Sequence, residues 1–265
     1  MMWRVSLRPY PLDLEAGRYS YLERPNRALL ELAVAELGRR KPLPQVLDVG
    51  AGAGANAREL RQRIPDVFLV GVEPNARAAA LSRAACDEVF EGSVDRFLDH
   101  ADPERRFDVV LLSDVIEHLV DPLALLRKLG RHPSTRDAAL VVSVPNFGVW
   151  YNRVKTLGGS FSYSWSGLYD RTHLRFFTRR SLHELLECAG RRVVAERSTP
   201  SFAQSGAPLL RRFFDAEVEA GDHLTLGDSL AFRAYTRMIE PLETRVCALW
   251  PELLAFQIVC LAVPA

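Results

Sequence analysis

A glycine-rich turn in the first quarter of the chain has the composition of a ligand-binding turn. Gly50, Gly52 and Gly54 alternate with alanines directly after a buried run that ends near Val49. Side chains at Gly50 and Gly52 would block a ligand's approach to the backbone amides at the start of the following helix. Glu73 ends the next predicted strand, where a carboxylate can accept hydrogen bonds from both hydroxyls of a ribose. Together these residues predict a cofactor that contains adenosine.

Asp48, immediately before this turn, distinguishes between two classes of cofactor. The glycine spacing also satisfies the relaxed GxGxxA pattern of dinucleotide-binding turns, so the glycines alone leave a nicotinamide cofactor open. A carboxylate beside a pyrophosphate would be repelled, whereas a cationic ligand would be attracted. S-adenosylmethionine carries an ammonium group and a sulfonium and has no phosphate. Asp48 therefore favours S-adenosylmethionine.

The order of motifs along the chain is a second discriminator. The run DVGAGAG is followed by GVEP, then by FDVVLLSDVIEHLVDP and VVSVPN. This series resembles the class I S-adenosylmethionine-dependent methyltransferases, and it is most similar to their ubiquinone-biosynthesis-type small-molecule branch. The later segment DRTHLRFFT is similar to a D-x-T-H-x-x-x-F-T segment of bacterial members that often accompany glycan or natural-product gene sets. The resemblance covers roughly residues 18–198 and the last strand.

The resemblance implies cofactor contacts for individual residues. The positions that hold the methionine end of the cofactor are matched by Asp48, Gly50 and Gly52. Glu73 matches the ribose ligand. Ser93 stands at the adenine position, where the family often has an acidic residue, so Asp95 or the backbone is the alternative contact there. In the N-terminal arm, Tyr21 or Arg24 is expected to reach the methionine carboxylate.

The first two candidates for a catalytic base are histidines. Methyl transfer from a sulfonium is an in-line displacement whose thioether leaving group needs no acid, so positioning and one base can suffice. His118 is the first candidate because it follows the fourth strand and faces the place where family members bring cofactor and acceptor together. The alternative is that His118 braces the helix after that strand. His173 is the second candidate, and Asp170 three residues earlier is expected to orient its imidazole.

The carboxyl edge of the fourth predicted strand supplies two further candidates. Ligands bind at this edge in open α/β sheets. Ser113 and Asp114 end the strand there. We expect Ser113 to contact the cofactor, and Asp114 to serve as a second base or as a further cofactor contact.

Short apolar runs alternate with helical stretches, which predicts a parallel sheet covered by helices on both faces. The predicted strands are 45–50, 67–72, 88–91, 107–113, 138–144, 191–196 and 253–263. The predicted helices are 21–37, 55–63, 75–84, 93–100, 121–131 and 178–189. The expected fold class is therefore α/β: a doubly wound, mostly parallel seven-stranded sheet of the Rossmann-like methyltransferase type, with an antiparallel C-terminal hairpin.

A single domain over 1–265 is expected, with N-terminal cap helices in 1–40 and a cofactor-binding half in 44–145. Residues 146–177 and 200–250 do not fit the alternation. Long insertions at the carboxyl edge of a parallel sheet usually assemble substrate pockets, so both are predicted to be lids.

Composition limits the partners. Lys and Arg number 34 against 33 Asp and Glu, a net charge of +1 that gives no general field for nucleic acid. The four cysteines lack metal-ligand spacing, so neither a metal nor a disulfide framework is expected. No signal-peptide core and no apolar run of about 20 residues is present, which indicates a cytoplasmic protein without stable membrane insertion.

The predicted activity is transfer of a methyl group from S-adenosylmethionine to an oxygen of a small molecule, such as a sugar or glycan precursor. Transfer to a nitrogen is the alternative within the same class. A nicotinamide-dependent oxidoreductase and a non-catalytic S-adenosylmethionine-binding module are the rival interpretations. The oligomeric state is left open.

Overall fold

The computed structural model describes residues 25–39, 42–164, 167–200, 237 and 240–265. Seven strands form one sheet: β1 (Gln45–Val49), β2 (Phe68–Glu73), β3 (Glu88–Glu91), β4 (Val109–Ser113), β5 (Ala139–Pro145), β6 (Arg191–Pro200) and β7 (Ala255–Pro264). The helices are α1 (Arg27–Leu37), α2 (Ala55–Arg63), α3 (Ala76–Ser82), α4 (Val94–His100), α5 (Pro122–Arg131), α6 (Trp150–Leu157), α7 (Arg179–Cys188), α8 (Glu240–Leu249) and α9 (Pro251–Leu254). A 3-10 turn, Ile116–His118, follows β4.

The strand order is β3-β2-β1-β4-β5-β7-β6. The first five strands in this order are parallel, and β7 runs antiparallel to both β5 and β6. The connections proceed outward in opposite directions from β1 and from β4. This reversal opens a crevice at the carboxyl ends of β1 and β4, the usual ligand position of such sheets. The expected doubly wound, mostly parallel sheet is confirmed.

Two apolar cores lie on opposite faces of the sheet, because successive side chains of a strand point to opposite faces. On one face Leu47 of β1 belongs to a cluster that includes Leu126 of α5. On the other, its neighbour Val46 belongs to a cluster that includes Leu30 of α1. All four side chains are fully buried. Burial of each such side chain stabilises the fold by about 1.5 to 3 kcal/mol. The close-packed cores therefore hold the ends of the strands, and the side chains at those ends, in fixed positions.

Local capping explains where two helices begin. Thr178 caps α7 as predicted, and its hydroxyl and that of Ser181 exchange hydrogen bonds with each other's backbone in a capping box. Asp121 accepts a hydrogen bond from the backbone of Ala124 at 3.0 Å, and Pro122 follows at the first position of α5. The helix that was expected from residue 21 begins at Arg27 within the described residues.

The last strand begins later than expected. Residues 253 and 254 were predicted to be strand, but Leu253 and Leu254 belong to the short helix α9. The amide of Asn146 donates to the carbonyl oxygens of Glu252 and Ala255, at 3.1 and 3.0 Å, and so stabilises the helical turn. The predicted start of this strand was therefore wrong by two residues.

Parts of the expected cap and lids lie outside the described residues. These are 1–24, 40, 41, 165, 166, 201–236, 238 and 239, which include Tyr21 and Arg24. Among the helices that the structure describes, none combines the length and apolar character needed to cross a bilayer.

Candidate active site

The glycine turn joins β1 to α2 in a backbone conformation that favours glycine. Gly50, Gly52 and Gly54 have φ angles of +71°, +54° and +82°, all in the left-handed region. The amide of Gly50 donates to the carbonyl of Val72 in β2 at 2.8 Å. A Cβ atom at Gly50 would lie 2.8 Å from Cγ2 of Val115, which is shorter than a normal contact. The turn therefore packs directly against the segment that follows β4.

Glu73, at the carboxyl end of β2, braces the same turn. One carboxylate oxygen accepts from the amide of Gly52 and the other from the amide of Asn75, both at 2.9 Å. The residue is 4% exposed. A carboxylate at the end of this strand can accept hydrogen bonds from ribose hydroxyls. This geometry fits a ribose.

Asp48 is a buried carboxylate whose two oxygens have no hydrogen-bond partner within the described parts of the chain. It is fully buried at the end of β1. Burial, and then the charge of Glu73, raise its pKa to about 7. Such a group is costly unless a partner compensates its charge. A ligand that brings an ammonium group into this corner would supply that partner, so the turn with Asp48 and Glu73 fits S-adenosylmethionine.

Asp114 stands at the end of β4 with a φ angle of +53°, a strained conformation for a residue with a side chain. Its amide donates to the carbonyl and the hydroxyl oxygen of Ser143 in β5, at 3.2 and 3.1 Å. Its carboxylate accepts from the Ser143 hydroxyl at 3.2 Å and from Nε2 of Gln257 at 2.6 Å. Burial raises the Asp114 pKa to about 6, against the lowering effect of these two hydrogen bonds. Ser113, beside it, is partly exposed.

The two candidate histidines lie together although 54 residues separate them along the sequence. The ring centroids of His118 and His173 are 4.8 Å apart and the rings meet edge to face. Nδ1 of His118 lies 3.2 Å from the carbonyl oxygen of Thr172, and Nδ1 of His173 lies 3.3 Å from that of Leu168. Burial lowers both pKa values and so favours the neutral form of each ring.

Asp170 does not orient His173 as expected. Oδ1 of Asp170 accepts hydrogen bonds from the amide and the hydroxyl of Thr172, at 2.9 and 2.7 Å. An aspartate commonly bonds the backbone two residues onward in this way, and that local turn competes with any longer-range pairing. His173 is held by a backbone carbonyl instead.

Glu117 received no role from the sequence beyond its place beside His118. The residue is 1% exposed, and neither carboxylate oxygen has a hydrogen-bond partner among the described residues. Burial, and then the charge of Asp114, raise its pKa well above the usual range. The 3-10 turn after β4 explains this placement, because it turns Glu117 inward. The sequence offered one signal of this inward placement, because Glu117 directly follows the apolar pair Val115 and Ile116.

The segment 146–177 packs aromatic rings around His173. The ring of Phe176 lies 6.5 Å from His173 and 4.8 Å from Phe147, centroid to centroid. Phe161 reaches Phe176 at 6.0 Å and is 46% exposed. Part of this predicted lid is therefore an apolar wall beside the histidines.

Ser93 lies at the carboxyl end of β3, away from the histidines. Its side chain caps α4 by accepting from the amide of Arg96 at 3.3 Å, and its hydroxyl can still donate to a ligand. Asp95 contacts the ammonium group of Lys128 at 3.2 Å. Of the two residues considered for the adenine position, Asp95 thus already pairs with a cation, and Ser93 caps a helix.

The family model for the methyltransferase domain matches residues 19–196 of this chain. A ubiquinone biosynthesis O-methyltransferase from Azorhizobium caulinodans is 26% identical over 152 residues, 55% of this chain and 58% of that protein. A protein of the same name from Bradyrhizobium diazoefficiens is 33% identical over 86 residues, 32% of this chain and 33% of that protein. Each match thus spans less than two thirds of the curated relative.

The fold is also found among solved structures. That of a SAM-dependent methyltransferase from Archaeoglobus fulgidus is similar with a TM-score of 0.51 at 18% identity, covering 89% of this chain and 94% of that one. A match of the family model over most of the chain, on a sheet of the expected topology, identifies the cofactor as S-adenosylmethionine. The chain therefore belongs to the methyltransferase domain family, and it is a class I S-adenosylmethionine-dependent methyltransferase.

Proposed function

We propose that this methyltransferase methylates an oxygen atom of a small molecule, with sugars and glycan precursors among the acceptor classes. The observation that carries the proposal is the convergence of candidate bases beside the glycine turn. Val115 packs against Gly50, and Asp114 and His118 flank it in sequence. A base within reach of the acceptor suits a hydroxyl, which must lose a proton on methylation. The names of the two curated relatives support the same choice.

The cofactor contacts belong to the same proposal. Asp48 compensates the charge of the methionine ammonium group, and Gly50 and Gly52 let the methionine end approach the backbone. Glu73 accepts hydrogen bonds from the ribose hydroxyls at the carboxyl end of β2. Ser93 contacts the adenine, and Ser113 contacts the cofactor from the end of β4. The buried, unpartnered carboxylate of Asp48 is the strongest support for this arrangement.

Bound S-adenosylmethionine supplies an electrophilic methyl group. The chain's own residues then bind, orient and deprotonate the acceptor. His118 is the first candidate base: the Thr172 carbonyl can only accept, so Nδ1 of His118 carries the hydrogen and Nε2 keeps its lone pair. His173 and Asp114 are the further candidates. The aromatic wall around His173 excludes water from this side of the acceptor.

A small acceptor is preferred over nucleic acid on electrostatic grounds. The net charge of +1 provides no attraction for a phosphate backbone over the whole chain. Transfer to nitrogen is the second candidate, because a neutral amine needs no base for its attack and the same pocket would admit it.

The test is a product analysis. Purified protein is incubated with methyl-labelled S-adenosylmethionine and matched pairs of acceptors, phenols with anilines and sugars with amino sugars. We expect labelled methyl ethers, identified by mass spectrometry and NMR, and much slower transfer to each amine. Transfer confined to the amines would overturn oxygen in favour of nitrogen. Binding of S-adenosylhomocysteine without turnover of any acceptor in the panel would overturn the proposed acceptor classes.

A further inference from the structure

We propose that a cavity at the amino end of β5 is a second ligand site, which binds the phosphate group of a small molecule. The cavity has a volume of about 320 Å³, and residues from the C-terminal ends of α5 and α7 line it. None of the described residues that line it is acidic, and four are arginines: Arg127, Arg131, Arg136 and Arg191. We call this space the arginine cavity.

The arginine cavity lies at the opposite end of the sheet from the glycine turn. Arg136 stands three residues before Ala139, which begins β5, and Arg191 is the first residue of β6. β5 and β6 run in the same direction, because each is antiparallel to β7. The carboxyl edge of the sheet is roughly 20 Å away, since the seven residues of β5 rise about 3.3 Å each. A ligand in the arginine cavity would therefore be neither the cofactor nor the methyl acceptor.

Arg191 is the observation that points to an anion. The residue is 2% exposed, and its guanidinium donates to the backbone carbonyls of Ala138 and Thr135, at 2.7 and 3.4 Å. Burial lowers the pKa of Arg191, against the smaller raising effect of the charge of Asp137. A guanidinium nevertheless stays charged in proteins, and a buried charge is costly unless an opposite charge compensates it. Carbonyl oxygens carry partial charges only, so an anion in the cavity would complete the compensation.

The other three arginines add positive charge to the same cavity. Arg127 and Arg131 lie four residues apart on α5 and therefore share one face of the helix. Arg127 donates to the carbonyl of Cys188 at 3.3 Å, and Arg136 contacts the exposed carboxylate of Asp137 at 3.3 Å. Basic and acidic residues nearly balance over the whole chain, at 34 and 33, so composition does not explain four arginines around a cavity that no acidic residue lines.

Helix dipoles account for only part of this charge. Basic side chains stabilise the C-terminal ends of helices, where carbonyl oxygens lack partners. Arg131 is the last residue of α5, and Arg127 reaches the last residue of α7, so both can act in this way. Arg191 begins a strand and belongs to neither helix. Its buried charge is the part that the dipoles leave unexplained.

The arrangement of the arginines favours a phosphate group over a carboxylate. A carboxylate pairs with one guanidinium through two parallel hydrogen bonds, so a single arginine is enough for it. A phosphate ester carries about −1.5 to −2 charges at pH 7, and its three oxygens can accept from several guanidinium groups at once. The volume of about 320 Å³ is near the lower end of the range of roughly 300 to 1,000 Å³ for small-molecule sites. The ligand that fits best is therefore a small molecule with one phosphate or diphosphate group.

Cys188 provides a reporter inside the arginine cavity. Its side chain is exposed and lines the cavity, whereas Cys86, Cys247 and Cys260 are buried. A ligand in the cavity would cover the Cys188 thiol and slow its alkylation by a neutral reagent. The rate of this reaction therefore locates a bound anion without any substitution in the chain.

The binding test uses the full-length protein in a phosphate-free buffer of constant ionic strength. Inorganic phosphate, pyrophosphate, glycerol phosphate and citrate are titrated by calorimetry, and alkylation of Cys188 by iodoacetamide is followed by mass spectrometry. We expect one equivalent of pyrophosphate to bind at least tenfold more tightly than citrate and to slow the alkylation at least threefold. Glycerol phosphate should bind at least as tightly as inorganic phosphate. Pyrophosphate should also raise the Tm, because it binds the folded state.

Substitutions of exposed arginines test the site without removing a buried group. We expect Arg127→Gln and Arg131→Gln each to weaken pyrophosphate binding at least fivefold and to reduce the protection of Cys188. Arg192→Gln is the matched control. Arg192 is exposed and adjacent to Arg191 on β6, but successive side chains of a strand point to opposite faces. This variant loses the same charge and should bind as the wild type does. S-adenosylhomocysteine affinity, measured on every variant, reports whether the fold is intact.

Three results would overturn the phosphate site. One is the absence of binding heat with pyrophosphate, and of any change in Cys188 alkylation, in a protein that still binds S-adenosylhomocysteine. The second is pyrophosphate binding that survives both substitutions and is displaced by S-adenosylhomocysteine, which would assign the anion to the cofactor crevice. The third is tighter binding of citrate than of pyrophosphate, or binding of inorganic phosphate but not of its glycerol ester. None of these results depends on methyl transfer.

Discussion

Nε2 of Gln257 lies 2.6 Å from Oδ2 of Asp114, so a side chain of β7 fixes a carboxylate at the end of β4 across the intervening strand β5. Ser143 of β5 contacts the other oxygen of the same carboxylate at 3.2 Å. Thr199 of β6 adds a further hydrogen bond to this series by donating to Oε1 of Gln257 at 3.2 Å. Four strands thus determine the position and charge of one candidate base.

Gln257→Leu should therefore change the pH dependence of methyl transfer. The hydrogen bond from Gln257 stabilises the charged carboxylate and lowers the Asp114 pKa. Its removal raises that pKa above about 6, so Asp114 stays protonated to higher pH. We expect the acidic limb of the kcat profile to move upward by about one pH unit, as the loss of one charge-assisted hydrogen bond implies. A limb that stays in place in both Gln257→Leu and Asp114→Asn would exclude Asp114 as the base.

Asp48→Asn should stabilise the free protein and weaken cofactor binding. The Asp48 pKa is about 7 in the folded state and 3.8 as a reference, so the folded state holds its proton more tightly. Stability therefore falls as the pH rises from about 4 to 7, by up to about 4 kcal/mol in total. The asparagine side chain does not titrate, so the variant does not lose this stability as the pH rises. We therefore expect its Tm to be higher than that of the wild type at pH 8 and similar at pH 4.

The same substitution removes the charge that we propose faces the methionine ammonium group. We expect S-adenosylhomocysteine affinity to fall at least tenfold at pH 8, measured by calorimetry. A variant that is less stable than the wild type at pH 8, or that binds equally well, would contradict the role proposed for Asp48.

Gly52→Val should abolish cofactor binding without unfolding the chain. Gly52 has a φ angle of +54°, where a β-branched residue costs about 1 to 2 kcal/mol. That is a small part of the 5 to 15 kcal/mol that stabilises a typical domain. The added side chain would also block the proposed approach of the cofactor to the backbone amides. Circular dichroism should show a folded protein, and calorimetry should show no binding.

Gly159→Val is the matched control for this substitution. Gly159 has a similar φ angle of +68°, and a Cβ atom there meets nothing within 4 Å. It should lose comparable stability and keep the cofactor. Retained binding in Gly52→Val would show that the cofactor has been placed wrongly.

His118→Ala should lower turnover far more than cofactor affinity. His118 contacts the backbone of the 146–177 segment at Thr172 and is the first candidate for the proposed base. Loss of a base or of an acceptor-orienting group costs about 100-fold or more in kcat. The S-adenosylhomocysteine Kd should stay within about threefold, because no cofactor contact is removed. Equal losses in kcat and in affinity would assign His118 a structural role, and His100→Ala controls for the loss of an exposed imidazole.

The sequence predicted the elements that local patterns determine. Five apolar runs gave the parallel strands in their correct places, and Thr178 correctly predicted the start of α7. The start of β7 was missed because a distant side chain, Asn146, holds Leu253 and Leu254 in a helical turn. Apolar periodicity cannot separate a short helix from a strand end in such a case.

The candidate site divides in the same way. The glycine turn with Asp48 and Glu73 is a local motif, and its spacing was enough to identify those residues as candidates for the cofactor site. The contacts of Glu117 with the 146–177 segment, and that of Gln257 with Asp114, join parts of the chain more than 50 residues apart. The sheet order decides such contacts. For Asp170 the sequence spacing was misleading. It predicted a contact with His173, but Asp170 accepts a hydrogen bond from its nearer neighbour Thr172.

The insertion of β7 between β5 and β6 also has a consequence for biosynthesis. Asn146, at the end of β5, and Ala255, at the start of β7, are 109 residues apart along the chain. While a ribosome makes that stretch, the open edge of β5 has exposed amide and carbonyl groups that can pair with another nascent chain. We therefore expect the yield of folded enzyme to increase when the protein is expressed at lower temperature or together with chaperones that bind unfolded segments.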